Sequence, residues 1–366
     1  MKIADYSPAI VGKFFSKVSR VSTFGLKPGE IIWNYKTDAE IRSSPALFEG
    51  TLYFTNMSGT IFALTENGNF KWNFKAKFLV NSSPVIDRKG RIYFGSWDNY
   101  LYVLDGDGNV LWRFKTGGDI TQPPITDGDR VYVGSEDGKI YAIREAEKIW
   151  ELDLDGWLST NIVLSIDGTL YFGTSSGKVY AVSYSGNVLW TFNTRGWISS
   201  AMAMDAMGNL YFGSVDNHVY ALNRWGKLLW KYDVGADITA GPVLDSFGRV
   251  LVGTSSGELV ALSRKGEFMW KFDADGAIRS TPAVSKEGFV YFGSEGGELY
   301  SLNLDGSLRW RVSTGDKVES SPLVTKNRIY FGSTDGKFYA VYDTTDGLDD
   351  GPWPMYCGEK SHIKIM

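Results

Sequence analysis

The sequence predicts an all-β protein, an eight-bladed β-propeller whose blades are four-stranded antiparallel sheets. The first observation is a tryptophan that recurs every 38 to 40 residues. Its eight copies are Trp33, Trp72, Trp112, Trp150, Trp190, Trp230, Trp270 and Trp310. A Tyr-Phe-Gly column and a Tyr-Ala-Leu column run in step with it, as in 93–95 and 220–222. Three columns in eight copies indicate a repeat architecture.

One repeat unit divides into four short strands. In residues 80–115 the segments VNSSPVI, RIYFGS, YLYVLD and VLWRF are separated by DRKG, WDN and GDGN. Strands of this length joined by Gly, Asp and Asn turns form an antiparallel meander. Such a sheet leaves both faces apolar, and radial stacking of the sheets covers those faces. The high content of glycine, 42 residues against 11 prolines, suits the many tight turns.

The ring is expected to close by pairing of the two chain ends. Trp33 lies in GEIIWNYKTD, which has the pattern of a strand, whereas prolines flank Trp353 in GPWPMY and remove ladder donors. Residues 30–36 are therefore predicted to supply the outer strand of the last blade, and residues 318–341 its three inner strands. The alternative is that Trp353 completes that blade. The predicted divisions are an N-terminal extension (1–29), one propeller (30–345) and a C-terminal tail (346–366).

The repeat W-x-F-x-T-G…S-S-P…Y-F-G-S-x-D-G-x-x-Y-A-L resembles the pyrroloquinoline-quinone (PQQ) type repeat of quinoprotein-like propellers. The resemblance covers about 310 residues, from Trp33 to Val341. It implies that each outer-strand tryptophan docks on a glycine-containing turn of the next blade, and that GPWPMYCGEK is similar to a Trp-Pro-Met segment of such chains. The family includes quinoprotein dehydrogenases and non-enzymatic scaffolds such as the outer-membrane-assembly lipoprotein, so the fold alone does not choose between them.

Several features favour the scaffold class over the dehydrogenase class. The single cysteine, Cys357, excludes the adjacent disulfide that the resemblance would imply for a dehydrogenase, and the even spacing leaves no room for pocket-building inserts. Asp105–Asn109 begins like a calcium loop, but Val110 and Thr116 stand where such a loop needs Gly and Glu, so a β-turn is expected. The two histidines, His218 and His362, are assigned to a turn and to the tail.

The repeat also identifies residues at the mouth of the central channel. One residue per blade precedes the S-S-P motif: Arg42, Asn81, Thr121, Ser159, Ser199, Thr239, Arg279 and Glu319. If the ring closes, Arg279, Glu319 and Arg42 are neighbours. This positive edge is a candidate site for a small anion or an acidic peptide side chain. The alternative is a solvated salt-bridge cluster that contributes little.

Two tryptophans outside the repeat column occupy equivalent loops of adjacent blades. Trp157 lies in Gly-Trp-Leu-Ser and Trp197 in Gly-Trp-Ile-Ser. They either plug the channel or form an exposed aromatic platform for a protein or sugar partner. Met202, Met204 and Met207 follow, and strand alternation would bury some of them.

The sequence therefore predicts a non-catalytic binding or scaffold propeller, with a protein or small anionic ligand over the channel mouth. The binding residues are Arg42, Trp157, Trp197, Arg279 and Glu319. The alternative is a PQQ-dependent dehydrogenase or a degenerate PQQ-binding relative. No cofactor is expected in the scaffold, and PQQ with calcium is expected in the alternative.

Charge and hydropathy limit the other partners and the location. The net charge of −4 argues against nucleic acid binding, and no apolar run is long enough for a membrane span. We expect a monomer. The expected location is the cytoplasm if Met1 is the native start, and the periplasm or the exterior if an export signal has been removed.

Overall fold

The protein is an eight-bladed β-propeller. A computed structural model describes residues 25–359, which form 32 strands in eight antiparallel four-stranded sheets. Blades 1 to 7 cover residues 46–75, 85–115, 125–153, 163–193, 203–233, 243–273 and 283–313, and blade 8 joins residues 323–342 to residues 31–36. The predicted fold class is confirmed. No helix that could cross a membrane occurs within residues 25–359.

The strands fall into four concentric rings. The innermost strands are β2 (Ala46–Phe48), β6 (Val85–Ile86), β10 (Ile125–Thr126), β14 (Val163–Leu164), β18 (Ala203–Met204), β22 (Val243–Leu244), β26 (Ala283–Val284) and β30 (Leu323–Thr325). The second strands are β3 (Thr51–Thr55), β7 (Ile92–Gly95), β11 (Val131–Ser135), β15 (Leu170–Gly173), β19 (Leu210–Gly213), β23 (Arg249–Gly253), β27 (Val290–Gly293) and β31 (Arg328–Gly332). The third strands are β4 (Thr60–Thr65), β8 (Tyr100–Leu104), β12 (Lys139–Arg144), β16 (Lys178–Val182), β20 (His218–Leu222), β24 (Glu258–Ser263), β28 (Glu298–Leu302) and β32 (Lys337–Tyr342). The outermost strands are β5 (Phe70–Lys75), β9 (Val110–Lys115), β13 (Glu147–Asp153), β17 (Val188–Asn193), β21 (Leu228–Asp233), β25 (Phe268–Asp273), β29 (Leu308–Ser313) and β1 (Ile31–Lys36).

Burial explains the columns of the repeat. Every residue of β19 is buried, as are four of the five in β20, whereas β21 alternates between exposed and half-buried positions. The second and third strands thus lie between neighbouring sheets, and the outermost strand faces solvent. A side chain at Gly213 would lie 2.2 Å from Ile238 of the next blade. The glycine of the Tyr-Phe-Gly column therefore allows the blades to approach closely.

Five of the column tryptophans donate an indole hydrogen bond to the next blade, whereas the buried indole nitrogens of Trp33 and Trp310 have no hydrogen-bond partner among the described residues. The indole of Trp72 donates to the Gly106 carbonyl at 2.8 Å, and that of Trp190 donates to the Arg224 carbonyl at 3.0 Å. A Cβ atom at Gly226, where φ is +79°, would be 2.7 Å from Trp190. The repeat thus combines an indole donor with a glycine that leaves room for the ring.

The ring closes through the N-terminal strand, as predicted. Strand β1 pairs antiparallel with β32, with Trp33 opposite Ala340 and Lys36 opposite Lys337. The alternative role for Trp353 is wrong, because that residue bridges to Leu244 in blade 6 instead.

The described part of the C-terminal segment enters the channel from the face opposite the mouth. Trp353 and Leu244 exchange main-chain hydrogen bonds of 2.8 and 2.9 Å, and the Pro354 carbonyl accepts from Val284 at 2.9 Å. The segment thus lies against the inner strands of blades 6 and 7. Trp353 and Met355 are buried, so the segment adds to the core.

Candidate functional site

The residues predicted to ring the mouth line one cavity. All eight positions before the S-S-P motif, from Arg42 to Glu319, surround a cavity of about 220 Å³. A second layer beneath them includes Ser44, Ser83, Thr281 and Ser321. Apart from Tyr356 of the C-terminal segment, each lining residue belongs to a loop that enters an innermost strand, so the eightfold repeat builds the walls of the cavity.

The charged edge of the mouth is a set of ion pairs. Arg42 contacts Glu319 at 2.8 Å across the seam of the ring, and it also contacts Glu40 at 2.8 Å. Arg279 turns away from Glu319 and contacts Glu295 at 2.5 Å.

Glu295 also contacts Lys317, at 3.2 Å. The hydrogen bond from Arg279 lowers the pKa of the Glu295 carboxyl below its ordinary value. Since Arg42, Arg279 and Lys317 face the carboxylates of Glu40, Glu295 and Glu319, the edge has no net charge.

Trp157 and Trp197 form an exposed pair beside the cavity. Their ring centroids are 6.1 Å apart with the planes at 79°, an edge-to-face contact. They remain 42% and 43% exposed, and neither lines the cavity. Of the methionines that follow Trp197 in the sequence, Met202 and Met204 are buried, and Met207, in the turn between β18 and β19, is 74% exposed.

The sequence predicted the turns between the second and third strands, but not that they lie at the mouth, beside the loops that carry the two tryptophans. The amide N–H of Ser175 donates to the Trp157 carbonyl at 3.0 Å, and that of Val215 donates to the Trp197 carbonyl at 2.9 Å. In blade 3 the equivalent pair is Glu136 and Asp119. Burial and the Asp119 carboxylate raise the pKa of Glu136. The strand order of the repeat could have predicted this position, because in an antiparallel sheet the turn after the second strand lies on the same side as the loop that enters the first strand.

The floor of the cavity comes from the C-terminal segment. Tyr356 lines the cavity and lies within hydrogen-bonding reach of Ser83. The thiol of Cys357 lies 3.9 Å from the Asn161 amide nitrogen, and burial raises its pKa to about 12. The thiol is therefore protonated and unreactive at neutral pH.

Comparison with known proteins identifies the family. A family model described as outer membrane protein assembly factor BamB matches five overlapping segments, residues 16–154, 83–196, 140–270, 215–287 and 263–350. The chain belongs to the BamB family of PQQ-like repeat propellers. A search of curated proteins gave no match.

Two solved structures resemble this BamB-family propeller in fold. The crystal structure of BamB from Moraxella catarrhalis has 19% identity and a TM-score of 0.74, covering 86% of this chain and all of the other. The computationally designed Ika8 protein has 17% identity and a TM-score of 0.75, covering 84% of this chain and 98% of the other.

Calcium-bound PQQ at the mouth of this BamB-family propeller would need carboxylate ligands for the ion and cations for the quinone carboxylates. No group of three or more His, Cys, Asp or Glu side chains in residues 25–359 is arranged to hold a metal ion. Both arginines that would meet the quinone carboxylates are already paired with glutamates.

The residues weighed for calcium binding, and the histidine assigned to a turn, make contacts within their own turns. The Asp105 carboxylate accepts from the amides of Asp107 and Asn109 at 3.0 and 2.9 Å, as in a β-turn. His218 Nδ1 lies 2.7 Å from the Asp216 carbonyl oxygen. His362 lies outside the described residues.

Proposed function

We propose that this chain is a non-catalytic scaffold that binds a protein partner over the channel mouth. The observation that carries the proposal is the pair of adjacent, half-exposed indoles of Trp157 and Trp197. The family description, outer membrane protein assembly factor, names a role among other proteins. We extend that role to this chain, which would then act in the assembly of outer membrane proteins and be exported.

Indole rings are favourable anchors for a protein partner. They bury a large area and lose little side-chain entropy on binding, so tryptophans are enriched among interface hot spots. Phe78, 55% exposed, adds an apolar side chain in the loop that enters blade 2. We therefore place the partner over blades 2 to 5, on the side of the mouth away from the ion pairs.

Replacing both Trp157 and Trp197 with alanine is expected to weaken binding of the partner about 30-fold or more, the size of a hot-spot loss. The free energy of unfolding should fall by only about 1 kcal/mol, because both side chains are partly solvated. The measurement is retention of the partner from an extract of the source cells on immobilised protein, with urea denaturation of the same variants.

The matched control is Trp225→Ala, since Trp225 is 73% exposed in a turn on the opposite face. That variant should retain the partner like the unmodified protein. Equal retention by all three proteins, or an equal loss in both variants, would contradict the assignment of the mouth face.

The second candidate function is a PQQ-dependent dehydrogenase or a degenerate relative that keeps the cofactor. The tricarboxylate PQQ would have to displace Glu40 and Glu319 from Arg42, or Glu295 from Arg279. A small anion at this edge faces the same competition. Mixing the protein with PQQ and calcium and assaying dye reduction with alcohols and sugars separates the two functions, because turnover would exclude the non-catalytic proposal.

A further inference from the structure

A chain of hydrogen bonds, each from a backbone amide to the hydroxyl of the next blade, runs around one side of the cavity through four hydroxyl groups. The amide N–H of Gly241 donates to Thr281 Oγ1 at 3.1 Å, and that of Thr281 donates to Ser321 Oγ at 3.0 Å. The chain continues from the Ser321 amide to Ser44 Oγ at 3.2 Å and from the Ser44 amide to Ser83 Oγ at 2.9 Å. These bonds join blades 6, 7, 8, 1 and 2 across the seam of the ring.

Three of the four hydroxyls in this chain, those of Thr281, Ser321 and Ser44, still have a proton to donate. A hydroxyl oxygen accepts through its lone pairs and donates once. Within the described residues, Thr281, Ser321 and Ser44 use their oxygens as acceptors, and none of the three donates its proton to a protein acceptor. All three are at least 95% buried and line the cavity. Because a buried donor without an acceptor is costly, these protons require an acceptor inside the cavity.

The rim above the hydroxyls supplies both donors and acceptors. One carboxylate oxygen of Glu319 accepts from Arg42, and the described residues give its other oxygen no donor. The amide of Asn81 also lines the cavity. With the edge neutral, electrostatic attraction does not favour an anion, and the alternation of donors and acceptors favours a ligand whose groups do both.

On the opposite side, the layer beneath the polar rim is small and apolar in three blades. Pro123, Ala201 and Gly241 stand where blades 1, 2, 7 and 8 carry the hydroxyls. The lower layer of the cavity therefore presents hydroxyls on one side and the C–H groups of Pro123 and Ala201 on the other. The volume of about 220 Å³ is below the roughly 300–1,000 Å³ of cavities for drug-sized ligands, so the occupant is one small ring.

We propose that the cavity binds one neutral sugar ring, either a free monosaccharide or the terminal residue of a glycan. Sugar hydroxyls accept from Thr281, Ser321 and Ser44 and donate to Glu319, while the C–H face of the ring packs against Pro123 and Ala201. This site lies beneath the proposed protein-binding surface and does not depend on it, because none of these residues belongs to the tryptophan pair.

Isothermal titration calorimetry with glucose, galactose, N-acetylglucosamine and citrate tests the proposal. At least one sugar should give a saturable heat, and citrate should give none. Thr281→Val, which exchanges the hydroxyl for a methyl group, should weaken sugar binding about tenfold, while Thr281→Ser should preserve it. The matched control is Thr191→Val on the exposed face of β17, which should bind like the unmodified protein.

Titration with a disaccharide that contains the sugar that binds distinguishes a free monosaccharide from the end of a glycan. A disaccharide that binds more tightly than its monosaccharide indicates a glycan end, and a weaker one indicates a free monosaccharide. The proposal is overturned if no sugar saturates, if citrate binds in place of the sugars, or if Thr281→Ser loses binding as fully as Thr281→Val. Thermal melts of each variant show whether the fold is intact.

Discussion

Replacing Trp33 with alanine is expected to lower the free energy of unfolding by about 3–5 kcal/mol, the cost of truncating a large buried aromatic side chain. Trp33 is 6% exposed and packs against Tyr330 and Phe338 of the last blade, with ring centroids 5.9 and 6.1 Å away. A side chain at Gly68 would lie 2.8 Å from the same indole. The residue thus holds β1 to blade 8 and blade 8 to blade 1, and urea denaturation measures the loss.

The control for Trp33 is the exposed Trp225. Because its indole is mostly in water, Trp225→Ala should change the free energy of unfolding by no more than about 0.5 kcal/mol. A small loss for Trp33→Ala, similar to that of Trp225→Ala, would mean that β1 contributes little to closure.

Replacing Arg249 with alanine is expected to cost about 3–5 kcal/mol of stability, because it leaves the buried Asp245 carboxylate uncompensated. The two side chains are 1% and 0% exposed, and Arg249 Nε lies 2.5 Å from Asp245 Oδ2. The guanidinium also donates to the carbonyls of Leu304 and Gly288 at 2.9 and 3.0 Å. Its loss therefore removes contacts between blades 6 and 7, which urea denaturation should register.

An exposed ion pair provides the comparison. Arg144 and Asp129 form a surface pair with side chains 45% and 55% exposed, so Arg144→Ala should cost no more than about 1 kcal/mol. If the two arginine variants unfold at the same urea concentration, the buried pair does not stabilise the contact between the blades.

The repeat was sufficient to predict the fold. The tryptophan column that begins at Trp33 gives the number of blades. The residues around Trp33 have a strand pattern, whereas prolines flank Trp353, and this difference predicts how the ring closes. The same repeat selected the eight side chains that line the cavity, because one position per blade enters each innermost strand. These inferences succeed because every copy of the unit has the same four-strand pairing and buries its second and third strands between neighbouring sheets.

Contacts and segments that occur only once in the chain could not be predicted from the repeat. The partner of Arg279 is Glu295, which belongs to a different turn of the same blade. The C-terminal segment occurs once, so no period shows that Trp353 pairs with Leu244 or that Tyr356 forms the cavity floor. The exposure of Trp157 and Trp197 depends on side-chain direction in a loop, which alternation along a strand does not determine.

Closure of the ring is tested most directly by a cross-link between β1 and β32. Lys36 and Lys337 are opposite each other, and paired strands hold Cα atoms about 4.5–5.5 Å apart, within the range of a disulfide. Under mild oxidation, Lys36→Cys with Lys337→Cys should form an intramolecular disulfide in nearly every molecule, while the buried Cys357 thiol stays reduced. Free thiols at both engineered positions, or disulfides only between molecules, would contradict a ring closed by its N-terminal strand.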